Sequence, residues 1–301
     1  MKNAIVYYYN LTPSDIHQRG KEFTFNINEV NYMLFPVERS EQDVKMLYEL
    51  LFLLYQYGIY YHQIISNKDN QLVTFINGSA YVLLRIYIND RRKVMLKDLD
   101  LLNNVILSDD LQSKKMNWYD LWTKKIDYFE YQINQLGRKF PLVRESFSYF
   151  IGLGENAISL IRNVVQVQNY VSHFRVSVND SLIQFYNPLN LVIDNRVRDA
   201  CEYFKSCFFE LNISLDQLFL HITNYIESNY LTIDECLLFL GRMIYPTYYF
   251  DMYEQVVENK ISEKNLLNII SRVDEYEELL RKLYQYFKSI MTLPEIEWLA
   301  L

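Results

Sequence analysis

The stretch SHFRVSVNDSLIQFYNPLNLVIDNRVRD, residues 172–199, decides the fold of this 301-residue chain. Its second residue is a histidine, His173, which stands two residues before a cation, Arg175. Polar side chains able to carry chemistry follow at intervals: Asp180, Asn187, Asp194 and Asp199. Apolar alternation at residues 176–178 and 191–193, separated by turn residues, predicts a small hairpin within the stretch.

The order of these groups matches the pattern H-x-D-x-x-x-x-N of a kinase catalytic segment. In that pattern the Asp accepts the proton of the attacking hydroxyl, and a later Asp holds magnesium. Arg175 stands at the base position, and a guanidinium cannot accept a proton because it keeps its positive charge. Asp180 stands where an active enzyme has a metal-binding Asn, and a turn formed by Asn179 and Asp180 explains it equally well. The segment therefore predicts a kinase-like site without its general base.

Two alignments compete for the magnesium position. In the first, Asp194 ends a strand and shares one ion with Asp180. In the second, which we prefer, residues 194–199 are a downstream D-x-x-x-x-D leading into a helix, and the magnesium position falls at Asn187. A neutral amide is a weak ligand for a hard cation. Asp199 is structural in either alignment, because a carboxylate at a helix start accepts backbone N–H bonds and favours the helix dipole.

Two further features have both a structural and a functional interpretation. His173 has no second His or Cys close to it in sequence, so a role in supporting the catalytic loop is favoured over metal binding. Arg175, Arg196 and Arg198 could form an anion site. Ion pairs with acidic neighbours are the favoured alternative, and those neighbours are Asp194, Asp199 and Glu202.

Residues 4–88 have mainly strand signals. Short β-branched or aromatic runs predict strands at residues 6–9, 23–27, 30–37, 62–66, 72–76 and 80–88. Residues 26–29 and the pair Asn77-Gly78 are hairpin signals. One helix interrupts the strands: Ser40 is its predicted N-cap, and apolar residues recur at helical spacing from Val44 to Leu54.

Beyond residue 90 the chain has helical periodicity for most of its length. Candidate helices lie at residues 118–136, 147–167, 199–211, 214–229, 233–245 and 263–290. The sequence therefore predicts an α+β, two-lobed, protein-kinase-like fold. Residues 1–90 form its small antiparallel sheet lobe, and residues 91–301 form a larger, mainly helical lobe with the central hairpin.

The groups that hold ATP in kinases are missing from their expected positions. Residues 10–21, where a phosphate-covering loop would lie, contain a single glycine, Gly20. The strand at residues 32–37 has no lysine for the α and β phosphates. The helix acid Glu49 therefore has no evident partner, and an exposed helix Glu is the favoured interpretation.

Composition excludes several classes of function. The chain has 37 acidic and 30 basic residues and no long basic run, which disfavours nucleic acid as a partner. Its three cysteines form no CxxC pair, which disfavours a zinc site and fits a reducing compartment. The most apolar stretch, residues 47–61, is too short and too polar for a membrane span. The N-terminus leads into a Tyr-rich strand rather than an export signal, so cytoplasmic synthesis is predicted.

Six segments, in order, resemble the endospore coat-associated, kinase-like proteins of spore-forming bacteria, a branch of the aminoglycoside and choline kinase-like superfamily. They are residues 118–127 (WYDLWTKKID), 149–158 (YFIGLGENAI), 172–175 (SHFR), 194–203 (DNRVRDACEY), 245–250 (YPTYYF) and 294–299 (PEIEWL). The resemblance extends over nearly the full length. It implies an aminoglycoside phosphotransferase-like fold, a location in the spore coat and other coat proteins as partners. It does not imply activity, because fold and function separate readily.

Two functions follow as hypotheses. The first is a pseudokinase that acts as a structural or interaction component of the spore coat, with no cofactor expected. Positions that serve architecture, His173 and Asp199, persist in it, whereas the base and magnesium positions are replaced. The alternative is a small-molecule phosphotransferase with displaced catalytic residues, in which Asp180 and Asp194 hold magnesium and ATP is the phosphate donor. The sequence leaves the oligomeric state open.

Overall fold

The computed structural model describes residues 1–114, 116–164, 167–211 and 213–300. These residues fold into two compact units. The first consists of Met1–Ile106, His173–Arg175 and Asn179–Val192, and the second of Leu107–Ser172, Val176–Val178 and the chain from Ile193 onward. The chain therefore passes between the two units more than once. The single boundary between lobes that the sequence predicts after residue 90 stays a prediction.

The first unit is built on an antiparallel sheet. Its elements up to residue 106 are α1 (Lys2–Tyr9), β1 (Ile16–Arg19), β2 (Glu22–Ile27), β3 (Val30–Pro36), α2 (Glu41–Gln56), β4 (His62–Ile65), β5 (Thr74–Ile76), β6 (Ser79–Ile86) and α3 (Leu96–Asn103). The strand order is β1-β2-β3-β6-β4, and β5 pairs with β6. This arrangement confirms the predicted antiparallel sheet with one long helix, and adds strand β1, which the sequence analysis missed.

Two tight turns fix the register of the sheet. Ile27 pairs with Val30, so Asn28 and Glu29 form a two-residue loop, both with positive φ. Ile76 pairs with Ser79 around residues 77–78, which have φ of 52° and 81°. Two successive positive φ values are those of a type I′ turn, whose twist matches that of the strands it joins. Both predicted hairpins are therefore confirmed.

The prediction for the N-terminus is wrong. Residues 6–9 belong to helix α1 and not to a strand. The helix buries Ile5 and Tyr9, four residues apart on one side, against Phe23, Phe25 and other apolar residues of the sheet. Tertiary burial of this side therefore outweighs the β preference of the tyrosines. Asn10, in the left-handed conformation at φ 53°, ends the helix.

Helix α2 follows the prediction. The Ser40 hydroxyl accepts a hydrogen bond from the Asp43 backbone N–H at 3.1 Å, which caps the helix start. Apolar residues from Val44 to Leu54 are buried on one face. The chain leaves the helix through Gly58, whose φ of 80° suits a residue without a side chain.

The remaining elements are mainly helical. In chain order they are α4 (Asp109–Ser113), α5 (Trp118–Leu136), α6 (Pro141–Ile161), β7 (Tyr170–His173), α7 (Leu182–Phe185), β8 (Leu191–Asp194), α8 (Val197–Glu210), α9 (Leu215–Ser228), α10 (Ile233–Ile244), α11 (Thr247–Val257), α12 (Leu267–Ile270), α13 (Val273–Ile290) and α14 (Glu297–Ala300). This confirms the predicted helical part and the α+β class.

Several predicted bounds change. The helix predicted at 147–167 is α6, Pro141–Ile161, and residues 165–166 of that prediction lie outside the described residues. The segment predicted at 263–290 is a 3₁₀ turn followed by α12 and α13. The predicted central hairpin is partly wrong: residues 191–193 are in β8, but its partner strand is β7, and residues 176–178 are not in a strand. Helix α11 was missed.

The helices of the second unit pack closely at glycines. A Cβ on Gly154 of α6 would lie 2.6 Å from Ile126 Cδ1 of α5. A Cβ on Gly241 of α10 would lie 2.5 Å from Ile161 Cγ2 of α6. These two glycines therefore let α6 approach both neighbours, and a side chain at either position would require a shift of the facing isoleucine.

Candidate functional site

A cavity of about 560 Å³ lies against one face of the sheet in the first unit, and all its lining residues belong to that unit. Side chains from β2, β3, β6 and β4 form its floor, and further lining comes from β1 and from α7 with the turn after it. The volume is in the range of small-molecule sites. The opposite face of the sheet carries the core that packs on α1. This cavity, called the sheet pocket below, is the candidate functional site.

A row of register partners crosses the floor of the sheet pocket. Asn26 of β2 pairs with Asn31 of β3, Asn31 pairs with Ile86 of β6, and Ile86 pairs with His62 of β4. Residues directly opposite one another project from the same face of an antiparallel sheet. The floor is therefore an asparagine pair followed by an aliphatic residue and a histidine, and all four line the pocket.

His62 is buried with one ring nitrogen unsatisfied. Its relative exposure is 1%, and Nδ1 has no hydrogen-bond partner among the described residues. Burial lowers the pKa of His62 to about 4, and a backbone hydrogen bond to Tyr186 acts in the opposite direction. The ring is therefore neutral at pH 7. In the tautomer that has its proton on Nε2, Nδ1 is a buried hydrogen-bond acceptor.

The charged side chains of the sheet pocket are mostly basic. Arg19 and Arg91 line it together with His17, and within the described lining Asp15 is the one carboxylate. Arg19, Arg91 and Asp15 are all exposed. On β3 the pocket side carries Asn31, Met33 and Phe35 rather than a lysine. The helix acid Glu49 is exposed on α2, as the sequence analysis favoured.

These lining residues are a poor fit for magnesium. Magnesium in phosphoryl-transfer sites is held by carboxylates together with substrate phosphates, and it binds neutral amides weakly. The lining offers one exposed carboxylate and several amides. Nowhere in the described chain do three or more His, Cys, Asp or Glu side chains form a group able to hold a metal ion.

His173 is fully buried in the first unit. Its Nε2 lies 2.8 Å from the carbonyl oxygen of Phe185, and its ring lies 4.0 Å from the Phe185 ring, centroid to centroid. The histidine thus ties the end of β7 to helix α7. This contact is structural, and the role of His173 in supporting a catalytic loop stays a prediction.

Arg175 is held by its own segment. Its carbonyl accepts a hydrogen bond from Asn190 Nδ2 at 3.0 Å, and its guanidinium donates from Nη1 to the Phe174 carbonyl at 2.9 Å. The guanidinium also lies over the Phe174 ring. Asp180 is half-buried, and its carbonyl accepts a hydrogen bond from Val94 N at 3.0 Å. Neither Arg175 nor Asp180 belongs to the described lining of the sheet pocket.

Asp194 lies in the second unit and is surrounded by hydrogen-bond donors. Trp118 Nε1 donates to Oδ1 at 2.9 Å, and the Asn195 backbone N–H donates to the same oxygen at 2.7 Å. Arg198 and Arg242 donate to Oδ2 at 2.8 and 3.1 Å. Both guanidiniums lie over the Trp118 ring. A divalent cation at Asp194 would have to displace two buried cations, so this carboxylate is built for an ion-pair network.

Burial affects the pKa of Arg242. Desolvation lowers the pKa of this guanidinium, the charge of Asp194 raises it, and the charge of Arg198 lowers it again, with a net decrease. The side chains of Arg242 and Asp194 are each 3% exposed. Two guanidiniums on the one carboxylate further oppose metal binding at this position.

Asn187 and Asp199 lie in different parts of the structure. Asn187 lines the sheet pocket, and its Oδ1 accepts a hydrogen bond from Leu189 N at 3.0 Å. Asp199 is buried in the first turn of α8, where a carboxylate stabilises exposed backbone N–H groups. Of the two residues proposed for the magnesium position, Asn187 therefore faces the sheet pocket, while Asp194 belongs to the buried network.

The suggested arginine cluster is divided among carboxylates. Arg196 donates from Nε and Nη2 to the two oxygens of Glu235, each at 2.9 Å. Arg198 pairs with Asp194, whereas Glu202 pairs with Lys205. The Glu235 partner was missed because it comes from α10, about forty residues further along the chain.

Sequence reasoning also missed most of the sheet pocket. Asn26 and Asn31 were assigned only to a turn and a strand, and His62, Arg19 and Arg91 received no role. The detectable signal was the placing of Asn26 and Asn31, which are register partners one residue outside the pair that flanks a two-residue loop. None of the helices in the described part of the chain is long and apolar enough to cross a membrane.

Comparisons with known proteins agree with the fold. The family described as "Spore coat putative kinase YutH" matches residues 2–283. The endospore coat-associated protein YutH of Bacillus subtilis (strain 168) is 25% identical over 209 residues, and the match covers 61% of this chain and 61% of that protein's length.

Solved structures share the architecture at low identity. The aminoglycoside phosphotransferase of Alicyclobacillus acidocaldarius has a TM-score of 0.71 at 10% identity, covering 96% of this chain and 97% of that one. The amicoumacin kinase hAmiN, solved with AMP-PNP and Ca²⁺, has a TM-score of 0.58 at 10% identity, covering 98% and 94%. Identities this low support the fold alone.

Proposed function

Because the chain belongs to the spore coat YutH family of kinase-like proteins, we propose that it is a catalytically inactive kinase-fold component of the bacterial spore coat. One observation carries the proposal: both oxygens of the Asp194 carboxylate accept hydrogen bonds from Arg198, Arg242 and Trp118, so a cation would have to displace these donors. Arg175 at the base position supports the same conclusion, since it cannot take a proton.

The coat location rests on relatives. The Bacillus subtilis protein that this chain resembles is endospore coat-associated, and the shared family is named for the coat. The partners of this chain are accordingly other coat proteins. Such a role uses the outer surface of a stable fold and does not require phosphoryl transfer.

The alternative is a phosphotransferase acting on a small hydroxyl compound, with ATP and magnesium bound through displaced groups. Similar folds have been solved with ADP and with AMP-PNP, which is the observation that favours it. In this alternative Asp180 supplies one magnesium ligand, and Asp194 would have to leave its arginine partners to supply another.

The decisive experiment measures nucleotide response and turnover of the full chain. Thermal unfolding is followed with ATP alone, Mg²⁺ alone and both together, because a ligand that binds only the folded state must raise its stability. ATP consumption is then assayed with a panel of small alcohols and aminoglycosides. We expect no magnesium-dependent stabilisation and no turnover. Clear stabilisation by ATP–Mg²⁺ with turnover that Asp180→Asn abolishes would establish the alternative instead.

Coat association needs its own measurement. A fluorescent fusion of the chain is followed in sporulating cells, with Arg175→Ala as a matched variant. We expect both to localise at the coat, because the proposal assigns no role in localisation to the base position. A fusion that stays dispersed throughout sporulation would contradict the coat assignment, whatever the outcome of the nucleotide assay.

A further inference from the structure

The polar groups of the sheet pocket are mainly neutral amides and hydroxyls. Nine of its lining residues carry an amide or hydroxyl side chain, five of them the amides Asn26, Asn31, Asn89, Gln184 and Asn187. No side-chain hydrogen bond within the described residues engages Asn26 or Asn31, and both remain accessible to solvent. Each therefore offers an N–H₂ donor and a carbonyl acceptor to a molecule in the pocket.

The floor of the sheet pocket is rich in hydrogen-bonding groups. Small-molecule pockets are usually lined mostly by apolar side chains with a few polar groups, and the polar groups of this lining are more numerous than that. Here two register-paired asparagines occupy adjacent positions of the floor, and Thr24 faces the pocket in the next row. Vicinal hydroxyls, which donate and accept at neighbouring atoms, match such a row of amides better than an aromatic ring does.

The charges of the lining residues indicate the charge of the ligand. Arg19 from β1 and Arg91 from the segment after β6 bring two fixed positive charges, against one negative charge on Asp15. The net positive charge favours an anionic group and disfavours a polycation such as an aminoglycoside. Phe35, on the pocket side of β3, provides an apolar surface against which the C–H face of a sugar ring can pack.

His62 supplies a second, independent observation. Its Nδ1 is a buried acceptor with no partner among the described residues, at the end of the row that begins with the asparagine pair. An unpaired buried acceptor is costly, so a ligand hydroxyl or a water that reached it after a small turn of the ring would relieve that cost.

We propose that the sheet pocket binds a small anionic polyhydroxylated molecule, a sugar acid or a sugar phosphate, with Arg19 and Arg91 attracting the anion and Asn26 and Asn31 bonding its hydroxyls. The site is independent of coat location and of phosphoryl transfer. It requires no divalent cation, because the two arginines supply the positive charge.

The test is isothermal titration of the full chain, without added metal, with gluconate, glucuronate, glucose 6-phosphate, glucose, kanamycin and ATP. We expect at least one of the three anionic sugars to bind, with glucose weaker and kanamycin not binding. A carboxylate sugar as the best probe identifies a sugar acid, and glucose 6-phosphate as the best probe identifies a sugar phosphate. Affinity should fall as salt is raised.

Three single-residue variants test whether the sugar binds in the sheet pocket. Asn31→Ala should weaken binding roughly threefold to tenfold, as expected for losing one or two hydrogen bonds. Arg91→Gln should weaken the anionic sugars and leave glucose unchanged. Asn104→Ala, an exposed asparagine outside the pocket lining, should have no effect. Unchanged thermal unfolding of all three variants shows that they fold.

Three results overturn the proposal: none of the anionic sugars binds, ATP binds while they do not, or their binding is unaffected by both Asn31→Ala and Arg91→Gln. The last would place the sugar elsewhere on the chain.

Discussion

Asp194 and Arg242 form a buried ion pair, with Nη2 3.1 Å from Oδ2, between residues forty-eight positions apart in the chain. Arg198 joins the same carboxylate oxygen from the first turn of α8. The pair therefore ties the end of β8 to α10 inside the second unit. The Asp194 carboxylate therefore stabilises the fold, and a substitution at this position should lower the free energy of unfolding.

Asp194→Asn should destabilise the protein by roughly 3–5 kcal/mol, because it leaves two buried guanidiniums without their countercharge. Asp216→Asn is the matched control, since the Asp216 side chain is 87% exposed in its pair with Lys282. An exposed pair of this kind contributes about 0–1 kcal/mol. Urea unfolding of both variants measures the difference. Equal midpoints for Asp194→Asn and the native protein would show that the network is not structural.

Glu235→Gln should destabilise the protein in a pH-dependent way. Burial raises the pKa of Glu235, but hydrogen bonds from Arg196, Thr232 and Asn195 outweigh it, so the pKa lies below its usual value. A carboxyl whose pKa is lower in the folded state contributes stability above its unfolded pKa of about 4.3. That contribution is lost as the pH falls through the folded pKa.

The variant should therefore be less stable than the native protein by roughly 1.5–3 kcal/mol near neutral pH, the usual cost of a charged hydrogen bond. The difference should begin to shrink as the pH falls below about 4.3, where Glu235 of the unfolded chain takes up a proton, and it should be lost as the pH falls through the lower pKa of the folded state. Urea unfolding at several pH values checks this. A difference that stays constant from neutral to acid pH would contradict the assignment to charge.

Two glycines in helices should respond oppositely to alanine. In Gly241→Ala the new Cβ would lie 2.5 Å from Ile161 Cγ2, so we expect a loss of about 1–3 kcal/mol from overpacking. In Gly152→Ala the new Cβ meets no atom within 4 Å. That variant should gain about 0.5–1 kcal/mol from helix propensity. Thermal unfolding of both distinguishes packing from propensity, and a gain at Gly241 would refute the close approach of α6 and α10.

Local signals accounted for much of the fold and little of the site. The pair Asn77-Gly78 predicts its hairpin because the turn needs two successive positive φ values, which these residue types adopt readily. Ser40 predicts the start of its helix because the cap hydrogen bond joins it to a residue only three positions further along the chain. The tyrosines at residues 7–9 led to a wrong strand prediction. Their β preference contributes less free energy than the burial of Ile5 and Tyr9 against the sheet, which favours the helix.

The site depends on contacts that no local pattern contains. Asp194 has the same sequence context whether it binds a metal or an arginine, and the arginine that decides, Arg242, comes from another helix. The sheet pocket was missed for a similar reason. Its floor joins four strands, and the register that places His62 in line with Asn26 is not visible in either strand alone.

The position of Asn187 allows the two magnesium alignments to be separated. Asn187 lines the sheet pocket, and Asn187→Asp should keep its bond from Leu189 N because a carboxylate oxygen also accepts. The change adds a negative charge and a hard oxygen ligand to a pocket that otherwise has Asp15 as its described carboxylate. If magnesium sits here in active relatives, the variant should acquire magnesium-dependent stabilisation by ATP.

The expected gain is about 1.4 kcal/mol when free nucleotide is ten times its dissociation constant, and none without magnesium. Asn104→Asp, which adds the same charge at an exposed position outside the pocket, is the control. Thermal unfolding of the native protein and both variants, with and without Mg²⁺, gives the comparison. If the Asn187→Asp variant responds no differently from the control, the magnesium position does not lie at Asn187. The alignment through Asp194 then becomes the better one, and the arginines on that carboxylate would be the reason that it binds no ion.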